Sequence, residues 1–186
     1  MIKETIRDVE LLFETSPDCF SPNYIDKGTL AMLSFVEFNP SDKILDLGCG
    51  YGIVGILAAK FCNPYNVYLT DINKTSIQYA KCNAILNKVE NINILQSNAY
   101  ENLNESGFDL ILSNPPYHTD FSVAKTFIEK GFNRLLLGGR LYMVTKRRDW
   151  YKNKFISIFG GVKIYEKNGY YVFAAEKRNA KYKSKL

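Results

Sequence analysis

From residue 43 onward, short apolar runs alternate with stretches whose apolar positions recur at helical spacing. Lys43–Leu47, Asn66–Thr70, Ile92–Leu95, Phe108–Leu112 and Gly139–Val144 read as strands. Between the first two, Val54, Leu57, Ala58 and Phe61 fall at i, i+3, i+4 and i+7, one stripe that can lie on a sheet. A second helix starts near Asn73 and turns Ile77, Ala80 and Ala84 inward, leaving Lys74, Lys81 and Lys88 for water. A third runs from Ser122, a residue suited to an N-cap, through Ala124, Phe127, Ile128, Gly131 and Leu135 to a left-handed stop at Gly138–Gly139. Strands alternating with helices predict an α/β fold with a doubly wound, mostly parallel sheet. Val162–Glu166 and Tyr170–Ala175 flank Asn168-Gly169, a strong hairpin signal because both positions tolerate positive φ, so the sheet is expected to end in an antiparallel pair. Residues 1–28 read as a separate approach segment: Ile2, Ile6, Val9 and Leu12 fit a helical stripe, and a Pro/Ser/Asn-rich loop follows.

Composition narrows the class. With 186 residues, 46% hydrophobic and 23% charged, the chain can bury a core without a disulfide or metal staple. Cys19, Cys49, Cys62 and Cys82 include no C-x-x-C pair, so they read as reduced, buried thiols and no metal is expected. The N-terminus carries Glu4, Arg7, Asp8 and Glu10 instead of a basic stretch leading into an apolar core, and no long apolar run occurs, so a cytoplasmic protein with no membrane partner is expected. Lysine and arginine exceed aspartate and glutamate 24 to 19, a net +5 that permits an anionic partner. The excess is clustered at Lys146, Arg147, Arg148, Lys152 and Lys154 and again from Lys177 to Lys185, where the competing readings are a solvated face and nucleic-acid contact.

The first strand runs into Asp46-Leu-Gly48-Cys49-Gly50-Tyr-Gly52 and then a helix, which places three glycines where the backbone must turn sharply beside a ligand. The dinucleotide pattern G-x-G-x-x-G fails because Ile53 stands where its third glycine would be, which disfavours a nicotinamide oxidoreductase. An acid two residues before Gly48 suits a ligand with a cationic amino-acid portion, which a pyrophosphate does not have. Asp71, ending the second strand, can accept both hydroxyls of a ribose. At the end of the third strand, Asn98-Ala99 offers a small polar group to an adenine amine. The fourth strand ends in Asn114-Pro115-Pro116-Tyr117. Prolines stiffen the backbone there, the Asn114 amide oxygen can accept from a planar NH2 group, and Tyr117 offers a stacking face. Holding such an amine by its protons aims its lone pair at an electrophile in line. His118, the only histidine, reads either as a loop contact or as a substrate contact.

Together these motifs resemble the class I S-adenosylmethionine-dependent methyltransferases, and more narrowly the methyltransferase small family of ribosomal RNA guanine-N2 methyltransferases. Phe20-Ser21, Asp26-Lys27-Gly28-Thr29, Asp46 to Gly52 and Asn114-Pro-Pro-Tyr-His118 carry the resemblance, which spans about residues 13–178. It implies a Rossmann-like sheet of seven strands, with residues 29–178 as the methyltransferase domain and 179–186 as a basic tail. It assigns S-adenosyl-L-methionine to Asp46, Gly48, Cys49, Gly50, Gly52, Asp71, Ile72, Asn98, Ala99 and Asn114. The target amine falls to Asn114, Pro115, Pro116 and Tyr117, and substrate contact to Phe20, Ser21, Lys27, Tyr117 and His118. Asn98 stands where the family usually has an acid. The implied partner is ribosomal RNA or a ribosomal subunit. Because the Asn-Pro-Pro-Tyr motif names an atom type, N6-adenine and glutamine-amide methylation stay open, as does a non-catalytic assembly factor that binds the cofactor or RNA.

Overall fold

The computed structural model describes residues 1–116 and 120–182. In chain order the elements are β1 (Ile2–Ile6), β2 (Val9–Phe13), α1 (Lys27–Leu33), β3 (Ile44–Leu47), α2 (Ile53–Ala58), β4 (Val67–Asp71), α3 (Lys74–Leu86), β5 (Asn93–Gln96), β6 (Phe108–Ser113), α4 (Ser122–Arg134), β7 (Leu135–Thr145), α5 (Asp149–Phe159), β8 (Lys163–Lys167) and β9 (Tyr170–Glu176). A seven-stranded sheet has the order β5-β4-β3-β6-β7-β9-β8. Its first five strands are parallel, and β9 pairs antiparallel with both β7 and β8. This is the Rossmann-like α/β fold with a terminal hairpin that the sequence predicts.

Period-two alternation feeds a core on each face. Ile44 of β3 and Tyr142 and Val144 of β7 pack on the side of α1, α2 and α3. Leu45, Leu47, Leu141 and Met143 pack on the side of α4 and α5. Strand order reverses between β3 and β6, which remain parallel: the sheet grows one way through β4 and the other way through β7. That switch point opens a crevice at the carboxyl ends of the strands.

Several local expectations are corrected. The first residues form a hairpin, β1 paired with β2, turning at Arg7 and Asp8, both at positive φ (52° and 63°). Its hold on the domain is tertiary, as two side-chain amides of α3 act as a strand partner. Asn87 Oδ1 accepts from Leu12 N at 3.0 Å and its Nδ2 donates to Leu12 O at 2.7 Å. Asn83 does the same for Glu14 at 2.7 and 2.9 Å. Four residues on a helix and two on a strand cover about the same distance, so the two amides match alternate strand residues.

The glycine stop at Gly138–Gly139 does not end α4. The helix finishes at Arg134, because Leu135 is already extended and paired with Phe108, and Gly138 sits at φ 83° in β7 near the register shift between Phe108 and Leu110. Ser122 is the first helical residue; the cap interaction comes from Asp120 Oδ1, which accepts Ser122 N at 2.9 Å. Helix α5 adds an element between the fifth predicted strand and the hairpin, its buried Tyr151, Phe155, Ile158 and Phe159 falling at helical spacing. Finally, Cys82 is exposed, unlike the other three cysteines. Lys177, counted with the basic tail, is buried with Nζ donating to Leu135 O at 2.8 Å. Lys183 and Lys185 lie outside the described residues.

Candidate functional site

A cavity of about 440 Å3 lies along the carboxyl ends of β3, β4, β5 and β6, walled by Leu47, Ile53, Val54 and Phe127 and edged by polar groups from each strand end. Volume and composition match a small-molecule site. The β3–α2 turn is built by backbone bonds to β4: Gly48 N and Cys49 N both donate to Thr70 O, at 2.8 and 2.9 Å. Gly52 caps α2 at φ 101°, a left-handed conformation that favours glycine. Gly55 lets α2 lie on β4, since a Cβ there would come 2.5 Å from Leu69.

Two carboxylates face this turn. Asp46 is 2% exposed, and its Oδ2 accepts Gly55 N at 2.8 Å. Burial pushes its pKa up to about 7, against the pull of the Gly55 hydrogen bond and with the help of the Asp71 charge. Asp71 is half-buried, with Oδ2 accepting Gly50 N and Oδ1 accepting Asn73 N, both at 2.8 Å. Each Asp71 oxygen keeps acceptor capacity for a ligand hydroxyl. Burial and the two neighbouring acids push the Cys49 thiol up, so this cysteine lines the cavity as a neutral group.

Asn114 is oriented from across the chain. Its Nδ2 donates to Asp26 Oδ2 and to Thr29 Oγ1, each at 2.9 Å, over 88 and 85 residues of sequence. Asp26 also caps α1, its Oδ2 accepting Gly28 N and Thr29 N at 2.8 and 3.1 Å. With both amide hydrogens committed, Asn114 Oδ1 is a buried acceptor without a partner among the described residues. The reverse orientation would set the amide oxygen against a carboxylate. Thr70 Oγ1, on the cavity wall, is a second buried atom in the same condition. Unsatisfied buried groups in a cavity mark where a ligand completes the hydrogen bonding.

Of the residues singled out from sequence, Asp46, Gly48, Cys49, Gly50, Asp71, Ile72, Asn98, Ala99, Asn114, Pro116, Phe20 and Ser21 line the cavity. Gly52 shapes the turn without lining it, Pro115 is buried behind it, and Lys27 opens α1 on the exposed side. Tyr117 and His118 lie outside the described residues. Asn98 Nδ2 donates to Glu101 Oε1 at 3.1 Å. Sequence reasoning did not reach Thr70, or Asp26 and Thr29 as the groups that orient Asn114; the Asp-x-Gly-Thr spacing signals a helix cap but not the residue the cap would meet.

The sequence model of the methyltransferase small domain matches residues 10–174. The chain belongs to the methyltransferase small domain family. Among relatives of this methyltransferase small domain, the ribosomal RNA small subunit methyltransferase C of Psychromonas ingrahamii is 33% identical over 163 residues, covering 86% of this chain and 46% of its own. An uncharacterized protein of Bacillus subtilis strain 168, YbxB, is 29% identical over 178 residues, covering 92% of this chain and 89% of its own. The Thermus thermophilus 16S rRNA N2 G1207 methyltransferase, solved with AdoMet and guanosine, superposes with a TM-score of 0.88 at 26% identity, over 95% of this chain and 50% of that one. The chain thus spans about half the length of the ribosomal RNA methyltransferase C relatives it matches.

Proposed function

We propose that this protein is an S-adenosylmethionine-dependent methyltransferase acting on an exocyclic amino group of ribosomal RNA, with guanine N2 as the target. The observation that carries this reading is Asn114 Oδ1, a buried acceptor held open at the carboxyl edge of the sheet by Asp26 and Thr29. The names of the relatives support the RNA class, and the guanosine-bound structural neighbour supports the base.

The residues present fit S-adenosylmethionine. Asp46 offers an anion to a ligand ammonium at low dielectric, Asp71 offers acceptors to a ribose, and Thr70 Oγ1 is an unpaired polar atom on the same wall. When bound, this cofactor supplies an activated sulfonium methyl group. Asn114 Oδ1 accepts one N–H of the target amine and fixes the direction of its nitrogen, so positioning provides much of the rate gain. The apolar wall of Leu47, Ile53, Val54 and Phe127 keeps water from the same space.

The test is incubation of the protein with methyl-labelled S-adenosylmethionine and ribosomal RNA or subunits from a strain lacking the gene, followed by nucleoside analysis. Label in N2-methylguanosine is expected. Label in N6-methyladenosine moves the target to adenine; label in protein, or cofactor binding without transfer, overturns the RNA methyltransferase reading.

A further inference from the structure

The rim beside Asn114 carries two cations that neither the fold nor the cofactor site employs. Strand β7 lies next to β6, with Met143 paired to Ser113, and ends two residues later at Thr145. Lys146, Arg147 and Arg148 follow, all exposed, before α5 begins at Asp149. The chain bends at Lys146, with Arg147 N donating to Thr145 Oγ1 at 3.1 Å, and the two side chains reach different rings. Lys146 Nζ stands 5.0 Å from the ring centre of Tyr170, and the Arg147 guanidinium carbon stands 4.9 Å from that of Phe121.

These two rings flank the site. A Cβ on Gly28 would lie 2.8 Å from the Tyr170 ring, so Tyr170 packs on α1 beside Asp26, the group that orients Asn114. Phe121 opens α4, whose Val123 and Phe127 line the cavity, and it stacks on Trp150 at 4.3 Å and 12°. Arg148 sits 3.5 Å from Asp149, whereas Lys146 and Arg147 make no ion pair among the described residues. Seating on a ring restricts each cation while leaving its donors to solvent, an arrangement suited to a fixed anion.

Resting on the RNA reading above, we propose that Lys146 and Arg147 grip two backbone phosphates of the substrate RNA, one on each side of the nucleotide whose amine reaches Asn114. A phosphate backbone supplies two anions at a regular separation, and phosphate contacts fix register while the base is read elsewhere. Lys146 and Arg147 are therefore positioning residues.

The test is the salt dependence of binding of a fluorescein-labelled, mixed-sequence single-stranded RNA 20-mer to the full chain. Two phosphate contacts on a single strand contribute about 1.4 to the slope of log affinity against log salt. The Lys146→Ala/Arg147→Ala variant is expected to lose that amount while its S-adenosylmethionine affinity and melting temperature stay at wild-type values. Lys146→Gln/Arg147→Gln keeps much of the stem packing on the rings and is expected to show the same loss, which separates charge from packing. Lys163→Ala/Arg178→Ala removes equal charge near the opposite end of β9, where Lys163 pairs with Ala174 and Arg178 follows Glu176, and is expected to leave the slope unchanged. An unchanged slope in the rim variants while wild type binds RNA overturns the clamp alone. An equal fall in both sets overturns it in favour of diffuse attraction, and failure of wild type to bind any RNA overturns the clamp together with the reading beneath it.

Discussion

Asn114 shows how one side chain acquires a direction. Taken alone, its amide can donate or accept; Asp26 and Thr29 take both its hydrogens and leave Oδ1 as the only function presented to the cavity. Replacing it with alanine removes the acceptor that we propose aligns the target amine but leaves the carboxylates of β3 and β4 in place. Asn114→Ala is therefore expected to lower kcat by roughly 10²-fold or more with a much smaller change in cofactor Kd. Steady-state kinetics alongside calorimetric titration of S-adenosylmethionine check this, and equal losses in both quantities would assign Asn114 to cofactor binding instead. That an asparagine after β6 lines the cavity was legible, because two prolines follow it at a strand end. Its orientation was not, because no local pattern links position 114 to positions 26 and 29.

At the scale of elements, the strand–helix alternation was readable wherever hydrophobic periodicity decides the conformation, as in β3, β4, α3 and the β8–β9 hairpin. It misled where hydrogen bonding to a distant partner decides. Ile2, Ile6, Val9 and Leu12 are compatible with a helix, yet Asn83 and Asn87 hold β2 extended against α3. Asn83 is fully buried and its Nδ2 also donates to Tyr51 O at 2.9 Å, tying hairpin, helix and β3–α2 turn together. Asn83→Ala leaves the Glu14 amide and two carbonyls without partners and is expected to destabilise the fold by about 1–3 kcal/mol. Denaturant unfolding measures the loss, and faster hydrogen exchange at Glu14 would localise it. Undiminished stability would mean that the hairpin is held by its apolar side chains alone.

For the whole molecule, the buried charge of Asp46 couples folding to pH. Its folded pKa of about 7 lies above the ordinary aspartate value of 3.8, so between these limits the folded protein keeps a proton that the unfolded chain releases. This group's contribution to stability is therefore complete below about pH 4 and is lost as pH rises toward and through 7. Thermal melts of the ligand-free protein at pH 5 and pH 8 should show the wild type losing stability relative to Asp46→Asn, by roughly a few kcal/mol at most. A parallel pH dependence in the two proteins would mean that Asp46 is already ionised in the folded state. No helix among the described residues is long and apolar enough to cross a membrane.

The amino-acid sequence by itself determined the class of sheet, the glycine turn after β3, the acids at the ends of β3 and β4, and the proline-stiffened asparagine after β6. Each is written in residues close together along the chain, as a period of two or 3.6, a turn requirement or a strand-end motif. Tertiary structure alone decided that Asp26 aims Asn114, that burial raises Asp46, that two amides of α3 convert the first residues into a hairpin, and that Lys177 leaves the basic tail for the interior. These depend on which distant groups the topology brings within hydrogen-bonding distance and how much water it removes around them, and neither quantity is a property of any short stretch of sequence.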